Sequence, residues 1–173
     1  MRTLPEKYLS EIPVPKEAYE VDLAVLDRYQ SFSAELLRLA LLVLAGYGFL
    51  ITNVGKASDS RVFFEPSGAS RYVLAVGAVS LAVSAMCALG HRYFSTDSLT
   101  HHVRRLRLQR RLAEEPEDTA ERTRLEKVIH QESVSLSQDL ERCRRLLLWS
   151  SVSLLVGAVG VALSFALTLF AAK

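Results

Sequence analysis

Three long apolar runs with almost no charge limit what this chain can fold into more than any other feature. They cover about residues 36–54, 72–90 and 146–172, and Arg38 near one end of the first run is the one Lys, Arg, Asp or Glu in them. A helix of about 20 apolar residues is long enough to cross the hydrocarbon core of a bilayer. We therefore predict an all-α protein with three transmembrane helices.

Composition supports this prediction over a soluble helical bundle. The chain is 50% hydrophobic although 23% of its residues are charged, and its mean hydropathy is +0.17. These values are compatible because the charges concentrate in residues 1–38 and 91–145. Such segregation is typical of a membrane protein, whereas the alternative of buried core helices does not require charge-free runs near 18 residues long.

The distribution of basic residues predicts the orientation in the membrane. Arginines crowd the segment between the second and third apolar runs, whereas the loop between the first two runs carries only Lys56, Arg61 and Arg71. Because cytoplasmic segments are enriched in Lys and Arg, we expect the N-terminus and residues 91–145 in the cytoplasm. The C-terminus would then lie outside a bacterial-type inner (plasma) membrane.

The segment between the second and third runs is predicted to form a long antiparallel cytoplasmic hairpin of two helices. Pro116 among acidic residues is a helix-start signal, which places the turn near 114–117. A register that pairs Leu106 with Leu125 buries apolar residues of both arms. The second arm shows a heptad-like seam and is expected to continue into the third span as one helix of about 55 residues. The seam residues are Ile129, Ser133, Leu136, Leu140, Cys143 and Leu147.

Four segments follow from these patterns. Residues 1–33 form a cytoplasmic part, extended through its prolines and helical from about Val21, which packs on the hairpin or on the inner membrane surface. Residues 34–91 form a transmembrane pair, residues 92–145 the cytoplasmic hairpin, and residues 146–173 the third transmembrane helix.

All four histidines lie in the predicted cytoplasmic segment, and three of them are candidate metal ligands. The hairpin register places His101 opposite His130, His102 is adjacent, and Asp97 is one helical turn before His101. Imidazole and carboxylate groups together suit a metal site or a pH-sensitive contact. The alternative is a set of solvated surface histidines, the more frequent case in a basic segment, and no resident metal or cofactor is expected.

No catalytic motif is present, so we expect neither catalytic residues nor an enzymatic activity. The sequence has no Gly-x-Ser-x-Gly, glycine-rich phosphate loop, His-Glu-x-x-His or Cys-x-x-Cys. The basic segment lacks the interleaved aromatic residues of many nucleic-acid sites, so we interpret it as a lipid-headgroup surface and expect no nucleic-acid partner. The predicted headgroup contacts are Arg92, Arg104, Arg107, Arg111, Arg142, Arg144 and Arg145.

Small residues form stripes on the second and third spans. They are Ser80 and Ser84 on the second, and Ser153, Gly157, Gly160, Ser164 and Thr168 on the third. Small residues allow helices to pack closely in lipid. The stripes are interpreted either as packing faces within one chain or as a hydroxyl-lined pore face in an oligomer.

Two functions fit these features. The first is a homo-oligomeric channel or pore-forming effector whose cytoplasmic hairpin is a sensor or gate. The order of elements is similar to that of small bacterial membrane effectors of the SLATT type, although the third span departs from their two-span pattern. The second is a non-conducting scaffold or anchor that recruits a cytoplasmic or membrane partner through the hairpin. Membrane lipids are expected partners in both cases.

Overall fold

The computed structural model describes the backbone of residues 15, 17, 19–57, 68–114, 116 and 120–171. Side chains are described for 15, 17, 19–49, 52, 72–114, 116 and 120–167. The described backbone leaves out most of the predicted extended segment, residues 115 and 117 of the predicted turn, and residues 58–67 of the predicted outer loop.

Three long helices make up the described part of the chain, which contains no strand. They are α1 (Glu20–Ala57), α2 (Gly68–Glu114) and α3 (Ala120–Ala171). The all-α prediction is confirmed. The described residues contain no cis peptide bond and no positive φ, as expected for uninterrupted helices.

Each of the three helices is long and apolar enough to cross a membrane. A helix satisfies all of its backbone hydrogen bonds internally, which is what lipid requires of a spanning segment. The helices contain 38, 47 and 52 residues, so each one is longer than the roughly 20 residues that a span needs. Each predicted apolar run therefore shares a continuous helix with a charged segment.

The chain divides into two compact units. The polar unit consists of residues 1–31 and 91–144, and the apolar unit consists of residues 32–90 and 145–173. All three helices contribute to both units, with α1 divided after Ser31, α2 before His91 and α3 after Arg144. Each unit has its own internal packing.

Glycines bring α2 and α3 close together in the apolar unit. A Cβ atom added to Gly157 would lie 2.6 Å from Leu81 Cγ and 3.0 Å from the Gly77 carbonyl oxygen. A Cβ added to Gly160 would lie 3.2 Å from Gly77 Cα. The backbones therefore approach at a distance that larger side chains would prevent.

Serine hydroxyls add interhelical hydrogen bonds to this unit. Ser84 Oγ donates to the Ser150 carbonyl oxygen at 2.8 Å, and Ser150 Oγ donates to the Ser84 carbonyl oxygen at 3.0 Å. Ser33 Oγ of α1 donates to the Ala88 carbonyl oxygen of α2 at 2.9 Å. All three serine side chains are buried. Each hydroxyl thus finds a protein partner in a region where water is scarce.

Removing the Ser84 hydroxyl tests this reciprocal pair. We expect Ser84→Ala to lower the free energy of unfolding in detergent by about 1 kcal/mol, the scale of interhelical hydrogen bonds in membrane proteins. Titration with a denaturing detergent, followed by circular dichroism, measures the loss. Ser80→Ala is the matched control, because Ser80 lies one turn earlier and is only partly buried. Equal losses in the two variants would contradict a stabilising role for the pair.

The N-terminal part of α1 packs on α2 in the polar unit. Asp22 Oδ2 lies 2.9 Å from His102 Nε2, and Gln30 Nε2 donates to Ser95 Oγ at 3.4 Å. Leu23 and Leu26 are partly buried, whereas Val21, Val25 and Tyr29 are exposed. This helix was predicted to pack either on the hairpin or on the inner membrane surface. The described contacts are with α2.

The contacts between α2 and α3 in the polar unit run in opposite chain directions. His91 contacts Cys143 through its carbonyl oxygen, and His101 contacts Glu132 through its imidazole. The predicted register paired His101 with His130, whereas His101 contacts Glu132 and Asp139 of α3, so the observed register differs from the predicted one.

The buried face of α3 agrees with the predicted seam at Leu136 and Cys143 and differs from it at two positions. Glu132 and Asp139 are buried in place of Ser133 and Leu140, and Leu140 is 51% exposed. Leu125 is 1% exposed and precedes Glu132 by seven residues, so the packed face follows a seven-residue spacing that includes acidic positions. The predicted seam follows mainly apolar residues. In the structure, Glu132 is hydrogen-bonded to His101 of α2 and Asp139 to Arg142 of α3.

Candidate functional site

The imidazole of His101 lies among three carboxylates in the polar unit. Asp97 is one turn earlier on α2, while Glu132 and Asp139 are two turns apart on α3. The i and i+4 spacing on α2 and the seven-residue spacing on α3 direct these side chains toward each other across the helix pair. We call these four residues the histidine–carboxylate cluster.

The two ring nitrogens of His101 have different surroundings. Nδ1 is hydrogen-bonded to Glu132 Oε2. Nε2 lies 3.8 Å from Asp139 Oδ2 and 4.0 Å from Asp97 Oδ2. In a neutral imidazole, donation from Nδ1 to Glu132 leaves the Nε2 lone pair directed toward the two aspartates.

The carboxylates of the cluster differ in exposure and in positive partners. The side chains of Asp139 and Glu132 are 7% and 11% exposed, whereas that of Asp97 is 51% exposed. Asp139 Oδ1 accepts a hydrogen bond from Arg142 at 3.0 Å. His101 carries a positive charge only when protonated. Because buried carboxylates are costly without compensating charge, the cluster favours a cation.

A metal ion has suitable donors here. One donor atom from each of Asp97, His101 and Asp139 lies within 4.8 Å of the other two. Glu132 holds the opposite side of the imidazole, as an outer-shell carboxylate does for a metal-bound histidine. Arg142 occupies Oδ1 of Asp139 and leaves Oδ2 on the side of His101.

The other predicted metal candidates do not join this cluster. His102 is paired with Asp22 of α1. His130 is exposed on α3. The structure therefore brings together two of the four sequence candidates, Asp97 and His101, and adds Glu132 and Asp139.

Glu132 and Asp139 were not among the predicted site residues, although the sequence contains a signal for them. Both follow Leu125 at intervals of seven residues, so they share a helix face with a leucine. An acidic residue in phase with a buried leucine is unusual unless it has a partner. The predicted seam included Leu140 instead of Asp139, and therefore left out the acidic positions of this face.

Cys143 adjoins the cluster but is a poor nucleophile. Burial and, to a smaller extent, the negative charge of Asp139 raise the pKa of the Cys143 thiol to about 11. The thiolate is the reactive form of cysteine, and it is scarce at neutral pH with such a pKa. Cys143 therefore acts as a packing residue, with its Sγ 3.9 Å from the carbonyl oxygen of His91.

The arginines predicted to contact lipid headgroups fall into two groups. Arg92, Arg142, Arg144 and Arg145 are exposed, while Arg104, Arg107 and Arg111 are partly buried. Arg142 pairs with Asp139 and lies 5.6 Å from the centre of the Phe94 ring, and Arg144 lies 3.6 Å from Glu141.

The small-residue stripes are largely used for packing inside the apolar unit. Ser84, Gly157 and Ser164 are buried, while Ser80, Ser153 and Gly160 are partly buried. The side chain of Thr168 lies outside the described residues. The buried members face neighbouring helices of the same chain, so they do not present an open hydroxyl-lined surface.

Comparisons with protein-family models, curated proteins and solved structures find no match to this chain.

Proposed function

We propose that this chain is a multi-pass protein of a bacterial-type inner membrane that assembles into a homo-oligomeric channel or pore-forming effector. Residues 92–145 would form an antiparallel cytoplasmic hairpin that acts as the sensor or gate. The N-terminus would lie on the same side and the C-terminus outside, as the asymmetry of basic residues favours.

An uncovered apolar face in the polar unit supports assembly most strongly. Val21, Val25 and Tyr29 are exposed, and their spacing of four residues places them on one side of α1. If the polar unit is cytoplasmic, this face contacts water in a single chain. Clustered apolar residues exposed to water commonly mark a protein or membrane contact.

A second copy of the chain is the occupant we favour for this face. Val25 and Tyr29 also line a groove of about 450 Å³ in the polar unit, together with Leu99 and Leu140. An apolar groove beside an apolar helix face is suited to a helix from a symmetric partner. Because the small-residue stripes are packed internally, a conducting path would form at contacts between copies.

The same groove supports the alternative of a non-conducting scaffold. A helix of a different protein would fit an apolar groove in the same way. The scaffold would then remain monomeric until its partner binds.

Oligomeric mass and conductance distinguish these functions. We expect the purified protein to form an oligomer in mild detergent, measured by light scattering, and to conduct ions in planar bilayers. Val25→Glu should reduce the oligomeric mass, because it places a charge in the apolar face. Ser31→Glu is the matched control, since it adds the same charge at an exposed position outside that face. A monomeric, non-conducting wild-type protein would reject the channel and favour the scaffold.

A further inference from the structure

We propose that the histidine–carboxylate cluster binds a divalent transition-metal ion, with Asp97, His101 and Asp139 as ligands and Glu132 as the residue that orients His101. Metal binding itself does not depend on assembly or conductance. Its use as the input of a cytoplasmic sensor rests on the function proposed above.

The donor set indicates the class of metal. One imidazole nitrogen and two carboxylate oxygens suit Zn²⁺, Mn²⁺ or Fe²⁺, whereas Ca²⁺ and Mg²⁺ prefer sites made of oxygen donors alone. Zn²⁺ binds nitrogen and oxygen ligands at about 2.0–2.2 Å, which places tetrahedral ligands roughly 3.4 Å apart. Nε2 of His101 is 3.8 and 4.0 Å from the two aspartate oxygens, so each of these distances would shorten by about half an ångström around a bound ion. The two aspartate oxygens lie within 4.8 Å of each other.

The larger of the two movements involves Asp97, whose side chain can make it most easily. Asp97 is half exposed, and its carboxylate can rotate toward an ion without disturbing packing. His101 and Asp139 are held more firmly, because Glu132 fixes one side of the imidazole and Arg142 fixes one carboxylate oxygen. Outer-shell contacts of this kind orient ligands and select the tautomer that exposes the metal-binding nitrogen.

The charge and burial of the carboxylates also favour a bound cation, because the ion pair between Arg142 and Asp139 is exposed to solvent on the arginine side. The side chains of Asp139 and Glu132 are 7% and 11% exposed. Arg142 is more than half exposed, so water weakens its interaction with Asp139. A divalent cation beside Nε2 would compensate the buried carboxylates directly, and water molecules would complete its coordination.

Calorimetric titration of the full-length protein with Zn²⁺ tests the site. The protein is purified in detergent, treated with EDTA and returned to chelator-free buffer before titration. We expect about one Zn²⁺ per chain in the wild type. His101→Gln and Asp97→Asn should each weaken binding at least tenfold, and Glu132→Gln should weaken it by about 10–100-fold.

Two controls distinguish Zn²⁺ binding at the cluster from Zn²⁺ binding by other histidines and from loss of binding through misfolding. His130→Gln removes an exposed histidine of the polar unit outside the cluster and should leave the affinity unchanged. Asp97→Asn changes a half-exposed side chain, so its helix content by circular dichroism should equal that of the wild type. The proposal is overturned if the wild type shows no saturable binding, if His101→Gln or folded Asp97→Asn binds like the wild type, or if His130→Gln weakens binding as much as His101→Gln.

A second measurement addresses the sensor role separately. Conductance and oligomeric mass are recorded with and without Zn²⁺ for the wild type and for Asp97→Asn. A change with Zn²⁺ in the wild type that is absent in Asp97→Asn supports sensing. An active oligomer that binds Zn²⁺ without any change rejects sensing and leaves both the metal site and the channel in place.

Discussion

Leu125→Ala should lower the stability of the polar unit by roughly 2–5 kcal/mol, because the substitution removes a fully buried side chain and leaves a cavity. Leu125 is 1% exposed on the packed face of α3. Few large apolar side chains are buried among the described residues of the polar unit, and two others are Leu108 and Leu136. Truncation of one buried leucine therefore removes a large part of the apolar packing of the polar unit.

Leu140→Ala is the matched control for Leu125→Ala. It is the same substitution in the same helix, at a position that is 51% exposed in one chain. Because Leu140 also lines the groove proposed as the contact between copies, both variants are compared in the Val25→Glu background, where we expect the effect of Leu140→Ala to be within about 0.5 kcal/mol. Chemical unfolding in detergent gives the stabilities, and amide hydrogen exchange of peptides from residues 91–144 localises the loss. If Leu140→Ala destabilises this unit as much as Leu125→Ala, the apolar seam predicted from the sequence is correct and the observed packed face is not.

Gly157→Val should destabilise the apolar unit by about 1–3 kcal/mol through overpacking. The added Cβ would lie 2.6 and 2.8 Å from two carbon atoms of Leu81, and 3.0 Å from the carbonyl oxygen of Gly77. Leu81 is completely buried and Gly77 contributes backbone, so neither can move aside cheaply. Titration with a denaturing detergent, followed by circular dichroism, measures the loss of folded protein.

Gly46→Val provides the comparison for Gly157→Val. A Cβ added to Gly46 meets no atom within 4 Å, so the same change in α1 should have little effect on stability. The double variant Gly157→Ala with Leu81→Ala tests the clash itself, because removing the leucine makes room for the new methyl group. We expect the two changes to be less destabilising together than the sum of the single effects. Strict additivity would show that the Gly157 position does not pack against Leu81.

The three helices that are apolar enough to span a membrane were predictable because their signal is local. A charge-free run near 20 residues in length is sufficient to indicate a helix that can cross a bilayer, whatever its neighbours are. The continuity of α3 was also predictable, since no proline or glycine pair interrupts residues 120–156. The expected length of about 55 residues is close to the 52 observed.

The candidate site was only partly predictable because it depends on how two helices meet. The sequence places Asp97 beside His101 through helix periodicity, which involves one helix alone. Glu132 and Asp139 join them through the register between α2 and α3, whereas the register predicted from the sequence paired His101 with His130.

The sequence by itself determined the helical class and the three apolar helices, because these follow from the length and charge of continuous segments. The tertiary structure decided which face of each helix is buried. In α3, two faces one residue apart are both plausible by periodicity, one with Leu140 and one with Asp139. Asp139 lies beside His101 of α2 and accepts a hydrogen bond from Arg142 of its own helix, so this charged residue is buried and Leu140 remains exposed. The position of His101 beside Asp139 depends on the packing of two helices that are distant in the sequence, so no single segment predicts it.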